Sequence, residues 1–459
     1  MIFNQFSFLF VFLPIILTLV FYLPTRKYRV ELLFVGSVIF YGISGFEHAA
    51  VLLAGILCVY FFSARSSGKP TPVAFAISVV VPLLALIYYK YSGFIVGGIL
   101  QLDDGSFEGS STFSLFRSVV LPAGISFFTF QLISFSIDKF SGQIRSSTKF
   151  FEFALYISFF PQLVAGPILR FHQVEEAIKR LPQFIPSIDD ITAAISFICF
   201  GLALKVLLAD NLGVAIEPMV AEPAGLAALG AWFVVFSYSF QIYFDFFGYS
   251  LIAIGLGRLF GFAFPNNFLR PYEALNPRDF WRRWHVTLSY WIRDYLYLPL
   301  GGNRRYRINI LIVFAIVGLW HGAGWSFVFW GLYHAALVIL YRQMQPIWDF
   351  VPRLLQATIT FTLVSLGWLF FVYDFGEAYV FLKSLFGAGN GSILNPTVAM
   401  WLLLLMSAAA CFMGRYEQWA IMKTDRRLVS YSYTAALAAL FVATLLFVSN
   451  SQPFIYFRF

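Results

Sequence analysis

Two of the five histidines, His285 and His321, stand where the surrounding sequence offers little else that could move a proton. Imidazole is the one side chain whose ordinary titration falls near neutral pH. His321 lies in Leu319-Trp320-His321-Gly322, at the end of an apolar segment. An ionisable group inside a bilayer costs roughly 2.5–3.5 kcal/mol on insertion scales, so a retained one is a functional candidate. Gly322 and Gly324 allow a ligand or a second backbone to come close beside it. Apolar surroundings favour the uncharged ring, which is the form that can act as a base. Residue types alone describe a buried histidine tied to a carbonyl equally well. His285 closes the charged run Arg278-Asp279-Phe280-Trp281-Arg282-Arg283-Trp284-His285, 36 residues earlier. Six of the 11 Trp fall between Trp281 and Trp330. His48, beside Glu47, and His172, among Gln173, Glu175 and Lys179, read as surface or interfacial residues. His334, on an apolar segment after Trp330, reads as structural or functional alike.

Other chemistries lack their residues. There is no His-Glu-x-x-His and no paired-cysteine spacing, so no metal site is expected. Cys58, Cys199 and Cys411 are scattered through apolar sequence and suggest no disulfide framework. Phosphate-binding glycine loops are absent, and Gly255 and Gly257 read as helix packing. No Gly-x-Ser-x-Gly elbow supports hydrolase-type covalent catalysis.

These side chains must be held by membrane-embedded elements. Of the 459 residues, 60% are hydrophobic and 12% charged, and the mean hydropathy is +0.77. Apolar segments fall near 6–23, 31–43, 47–63, 72–89, 119–137, 151–168, 190–208, 229–245, 249–264, 308–320, 324–341, 354–373, 398–414 and 431–449. Most are long enough to cross about 30 Å of hydrocarbon; 31–43 and 308–320 suit re-entrant pieces better. The N-terminal stretch lacks a basic region and a cleavage site, so it reads as a retained first span.

The net charge of +8 needs no nucleic acid, because Lys and Arg gather in cytoplasmic loops. Arg26, Lys27 and Arg29, then Arg65 and Lys69, then Lys139, Arg145 and Lys149 mark such loops. Segment 270–307 does so most strongly, with eight Arg. Loops with Asp103, Asp104 and Glu108, and with Asp210, Glu217 and Glu222, fit the opposite side. Within 276–297 the apolar residues Phe280, Trp284, Leu288 and Trp291 recur at helical spacing, with Arg282, Arg283 and Arg293 largely elsewhere on the wheel. That pattern predicts an interfacial amphipathic helix starting at Asn276-Pro277 and stopping at Pro299 and Gly301-Gly302. Residues 171–181 and 375–386 read as shorter surface helices. The whole predicts an all-α polytopic membrane protein, a single domain over residues 1–459.

Six blocks carry a family resemblance: Leu121–Phe130 (LPAGISFFTF), Phe160–Pro167 (FPQLVAGP), Tyr243–Ser250 (YFDFFGYS), Phe280–His285 (FWRRWH), Arg293–Tyr297 (RDYLY) with Gly301-Gly302-Asn303, and Leu319–Gly322 (LWHG). In these, and over nearly its whole length, the chain resembles the membrane-bound O-acyltransferases, in particular the bacterial branch of alginate O-acetylation membrane subunits. The resemblance implies a bundle of about 11–13 transmembrane or re-entrant helices around a central tunnel, with amphipathic cytoplasmic helices and a catalytic core near residues 119–341. It implies His321 as the catalytic histidine and His285 as the second important polar residue. It also implies acetyl-CoA as a cytoplasmic donor, a location in the bacterial inner membrane, and a cell-envelope polysaccharide as acceptor, an alginate-like exopolysaccharide first, with peptidoglycan O-acetylation or teichoic-acid D-alanylation as the alternatives. Phe247 and Leu251 depart from the family, where Ser and Asp are common. The chain is expected to carry no extracytoplasmic domain of its own, so a periplasmic acyltransferase partner of the SGNH type would complete the transfer.

On this reading His321 takes the proton of the acceptor hydroxyl, a role worth roughly 10²–10⁴-fold. His285, a Trp indole N–H or Asn303 would orient the thioester carbonyl or stabilise its oxyanion. Arg282, Arg283, Arg304 and Arg305, with Asn303 and Trp320, would hold the donor; the arginines suit coenzyme A phosphates or anionic lipid. The rival classes are a transporter, which predicts an internal repeat that the 280–334 block lacks, and a scaffold with structural histidines.

Overall fold

The computed structural model describes residues 2–22, 26–100, 120–164, 166–389, 395–421, 427–448 and 452–455. Among them there are helices and no strand. Five helices are long and apolar enough to cross a membrane: Phe46–Ala64, Pro72–Tyr91, Ile188–Ala221, Ala228–Leu259 and Arg353–Val372. Phe8–Phe21, Val398–Met413 and Tyr431–Phe447 are shorter apolar helices. The expected acidic loop with Asp103, Asp104 and Glu108 lies outside the described residues. The chain forms two compact units, Met1–Ile198 with Ile252–Pro265 and Cys199–Leu251 with Asn266–Phe459.

The first unit has a phenylalanine-rich core. Phe40 lies 5.7 Å from Phe8 and 5.5 Å from Phe160, ring centre to ring centre. Two cations expected in solvated loops are buried here instead. Arg29 opens the helix Arg29–Gly42 and donates to the carbonyls of Leu181 at 3.3 Å and Phe184 at 2.6 Å. Lys139 donates to the Ser146 carbonyl at 2.6 Å. Carbonyl acceptors make such burial tolerable, because an unpaired buried charge is very costly. His48, expected near the surface, is 9% exposed. His172 is exposed on the short helix Phe171–Arg180, whose buried face is Phe171, Val174 and Ile178.

The second unit holds the tryptophan- and histidine-rich sequence. Segments 229–245 and 249–264 are one helix, Ala228–Leu259, rather than two spans. Gly248, a natural place to break, is a point of close approach: a Cβ there would stand 2.7 Å from the Gly201 carbonyl oxygen. Asp245, on the same helix, is tolerated because Lys205 Nζ lies 2.5 Å from it and 2.5 Å from Asp210. Asp210 is therefore a buried ion-pair partner at the start of Asp210–Ala221, not an exposed loop residue.

The helices Tyr306–His321 and Trp325–Trp348 form a tight hairpin. Sixteen residues rise about 24 Å, so Tyr306–His321 is too short to cross the hydrocarbon alone. Glycines let the two backbones touch. A Cβ on Gly318 would stand 2.2 Å from the Phe327 carbonyl oxygen, and one on Gly331 would stand 2.0 Å from that of Phe314. Close approach of this kind is the usual way helices gain packing energy where lipid is the solvent. Gly331→Ala should therefore destabilise the protein by about 1–3 kcal/mol, the ordinary cost of overpacking. Thermal unfolding of detergent-purified protein checks this, and an unchanged melting temperature would count against the backbone contact.

Candidate active site

The predicted amphipathic helix over 276–297 is broken where it matters. Asn276 caps its start, accepting from Asp279 N at 2.8 Å, and Pro277–Arg283 is helical. The chain then turns out of helix at Trp284 and His285 and resumes as Val286–Ile292. His285 has φ 45° and ψ 55°, a left-handed conformation unusual for a residue with a Cβ. Backbone pairing with a neighbouring strand-like segment holds the break open: Leu269 N donates to Arg283 O and Val286 N to Asn267 O, both at 2.9 Å. Helix hydrogen bonds lost at the break are thus replaced. Phe280, Trp284, Leu288 and Trp291 are all buried, as the periodicity predicts.

Asn267 also sets the state of His285. Its Oδ1 accepts from Thr287 N at 3.3 Å and from Thr287 Oγ1 at 2.8 Å, and His285 Nδ1 lies 3.1 Å from it. A backbone N–H can only donate, so the atom facing it is the amide oxygen. His285 Nδ1 must then carry the proton, and Nε2 keeps the lone pair. Burial pushes the His285 imidazole down to about 3, so the ring is neutral at physiological pH.

His321 ends the Tyr306–His321 helix and is 3% exposed. Aromatic edges surround it, with Trp320 at 4.8 Å, Trp330 at 5.1 Å and Phe371 at 5.3 Å between ring centres. Trp320 also lies 6.1 Å from His285, which makes it the ring between the two histidines. A cavity of about 430 Å³ brings His285 and His321 together with Trp281, Trp284, Arg278, Arg282, Arg293, Tyr297 and Asn303. Trp281 and Trp284 have no hydrogen-bond partner for their indole N–H among the described residues.

The residues proposed from the sequence for donor binding divide into groups. Arg282 and Asn303 line the histidine cavity. Arg304 and Arg305 line an adjoining cavity of about 590 Å³ with Arg307, Arg342 and Gln343; Asn303 and Tyr306 belong to both cavities. Asn309 holds the intervening turn, donating to the carbonyls of Leu300 at 3.2 Å and Gly302 at 2.7 Å. Arg283 is turned away and bonds Asp279 at 3.0 Å. Trp320 packs behind the histidines and does not line the cavity. Arg278, Arg293 and Tyr297 are additional lining residues. The positive charge of Arg278 and Arg293 was legible, but which arginines face inward was not. His334 is fully buried against Trp281 at 5.0 Å and Trp330 at 4.9 Å, outside the cavity wall. Phe247 stacks on Tyr243 at 5.2 Å and Leu251 is fully buried, so both departures from the family lie in packed core.

Two outcomes follow from this geometry. Asn267→Leu leaves three donors without their acceptor and should cost about 1–3 kcal/mol for each one left unpaired, read as a lower melting temperature; no loss would contradict the hydrogen-bond set. His285, depressed in the folded state, contributes stability that is fully present above its unfolded value near 6.5 and is lost as pH falls toward 3. The slope is about 1.4 kcal/mol per pH unit, and His285→Gln should flatten it in melts taken from pH 7 to 5.

The family model for the membrane-bound O-acyltransferases matches residues 72–378. A Pseudomonas aeruginosa protein named probable alginate O-acetylase AlgI is 36% identical over 385 residues, 81% of this chain and 72% of its own. The peptidoglycan O-acetyltransferase of Helicobacter pylori is 31% identical over 92% of this chain and 85% of its own. The teichoic acid D-alanyltransferase of Bacillus subtilis is 27% identical over 54% and 68%. With its multi-pass helical architecture and a cavity that joins His285 to His321, the chain belongs to the membrane-bound O-acyltransferase family.

Proposed function

We propose that the protein transfers an acetyl group from cytoplasmic acetyl-CoA to O-acetylate a cell-envelope polysaccharide, with an alginate-like exopolysaccharide favoured. It would do so from the bacterial inner membrane, together with a periplasmic SGNH-type acyltransferase. The observation that carries this reading is one cavity holding both histidines and flanked by cationic side chains. Arg282 and Asn303, with Arg304 and Arg305 at the adjoining cavity, suit the phosphates of coenzyme A. Arg278 and Arg293 add to the same field.

In the chemical step, His321 takes the proton of the attacking hydroxyl. The new C–O bond forms as the C–S bond of the thioester breaks, and the proton leaves on the coenzyme A sulfur. Neutral His285 carries its proton on Nδ1 toward Asn267, so Nε2 can accept a hydrogen bond and cannot donate one to an oxyanion. Its role is therefore that of an acceptor that orients the incoming group. The indole N–H groups of Trp281 and Trp284, buried beside the cavity and without a hydrogen-bond partner among the described residues, are better oxyanion donors.

Peptidoglycan is the second reading, because the Helicobacter relative is matched over a larger share of both chains. Acetate content of isolated exopolysaccharide and of isolated cell wall separates the two. His321→Ala should lower transfer by about 10²–10⁴-fold, the usual worth of a general base, at unchanged membrane abundance. Near-wild-type polymer acetylation in that variant would remove the base assignment.

A further inference from the structure

A second cavity lies within the same unit, about 370 Å³ in volume, and shares no lining residue with the histidine cavity. Its polar wall is Lys205 between Asp210 and Asp245, with Gln241 and Glu217 nearby. The described tail segment 452–455 also borders it, tied down where Ile455 N donates to Asp245 Oδ2 at 2.7 Å. Phe371 lines this second cavity, and its ring lies 5.3 Å from the ring of His321, which lines the first. A lining residue of one space thus touches a lining residue of the other.

Phe371 is well suited to move. It sits on Leu369–Val372, the last turn of the Arg353–Val372 helix, which is set off by a local tightening at Trp368. Its neighbours are ring edges, with Phe327 at 5.0 Å, Trp330 at 4.8 Å and Trp368 at 5.3 Å. None of these ring contacts is a hydrogen bond, so the ring can swing aside at the cost of edge-to-face packing. Carboxylates and an amide on the far side match the hydroxyls of an acceptor.

We propose that Phe371 is a movable partition between the donor cavity at His321 and a second chamber, walled by Lys205, Asp210 and Asp245, that admits the hydroxyl-bearing acceptor. The inference rests on the acyl-transfer reading of the histidine cavity. Phe371 is a positioning residue in this scheme. When closed, it keeps water from the acetyl thioester; when open, it lets the acceptor oxygen reach His321. Without the ring, water would attack the thioester carbonyl, giving acetate and free thiol as the C–S bond breaks and the proton passes to sulfur.

The test begins with Val317→Cys, one helical turn from His321 on the donor-cavity wall, in full-length protein with Cys58, Cys199 and Cys411 replaced by Ala. A membrane-impermeant maleimide is added to right-side-out and to inverted vesicles. With Phe371 in place, labelling should come from one face only. Phe371→Ala should add labelling from the opposite face, faster there by about tenfold or more, since minor open states are populated at about 0.1–10%. Unchanged rates from the first face certify the fold, and Phe371→Leu replaces the Ala variant if that control fails. Labelling from a single face in the folded variant, or from both faces with Phe371 intact, overturns the partition. Neither result depends on catalysis, so failure here is distinct from failure of the acyl-transfer reading. With His321 present, Phe371→Ala should also raise acceptor-independent thiol release from acetyl-CoA while polymer acetylation falls. A parallel fall in both activities would overturn the partition's role in transfer.

Discussion

Backbone-to-backbone contact between Tyr306–His321 and Trp325–Trp348 fixes where the imidazole of His321 can be. Gly318 and Gly331 each face a carbonyl oxygen of the opposite helix, at a distance that no side chain would permit. The short helix therefore ends inside the second unit, and its last residue arrives among indole and phenyl edges. A longer or looser hairpin would carry that histidine past the rings that enclose it. Hydrophobic packing positions the site here; hydrogen bonds refine it.

The refinement comes mainly from Asn267. One amide oxygen gathers the donors of Thr287 and His285, and the adjoining backbone pairs keep the chain from closing into a continuous helix. The left-handed conformation of His285 is the local cost of that arrangement. In return, a neutral ring is held in one tautomer within an apolar wall. Tautomer choice decides chemistry here, because a lone pair and an N–H at the same position do opposite things.

Buried charge follows the same accounting elsewhere. Lys205 is sandwiched by Asp210 and Asp245 at the edge of the second chamber. Removing one partner of such a group typically costs about 3–5 kcal/mol, since the remaining charge is stranded. The arrangement makes a polar surface inside an apolar bundle, and Phe371 on its wall touches His321 on the wall of the arginine-bordered cavity.

Much of this was legible in the residues. Apolar run length announced a polytopic helical chain, and the period of Phe280, Trp284, Leu288 and Trp291 announced their buried face. The cost of charge in hydrocarbon singled out His321, and the six blocks of sequence marked the family. These are local properties: composition, period and identity are complete within a short window of chain. Partners distant in sequence were not legible. Arg29, Lys139 and Asp210 read as loop charges because their acceptors and counter-ion are supplied by folding. The break at His285 was invisible because Asn267, 18 residues away, makes it. Likewise, the division of the arginines between two cavities and the meeting of Phe371 with His321 depend on packing between separate helices. The sequence by itself determined the helical membrane class, the family and the residues able to move a proton. Tertiary structure alone decided which of them face one another, because a side chain's chemistry is local while its surroundings are assembled from the whole unit.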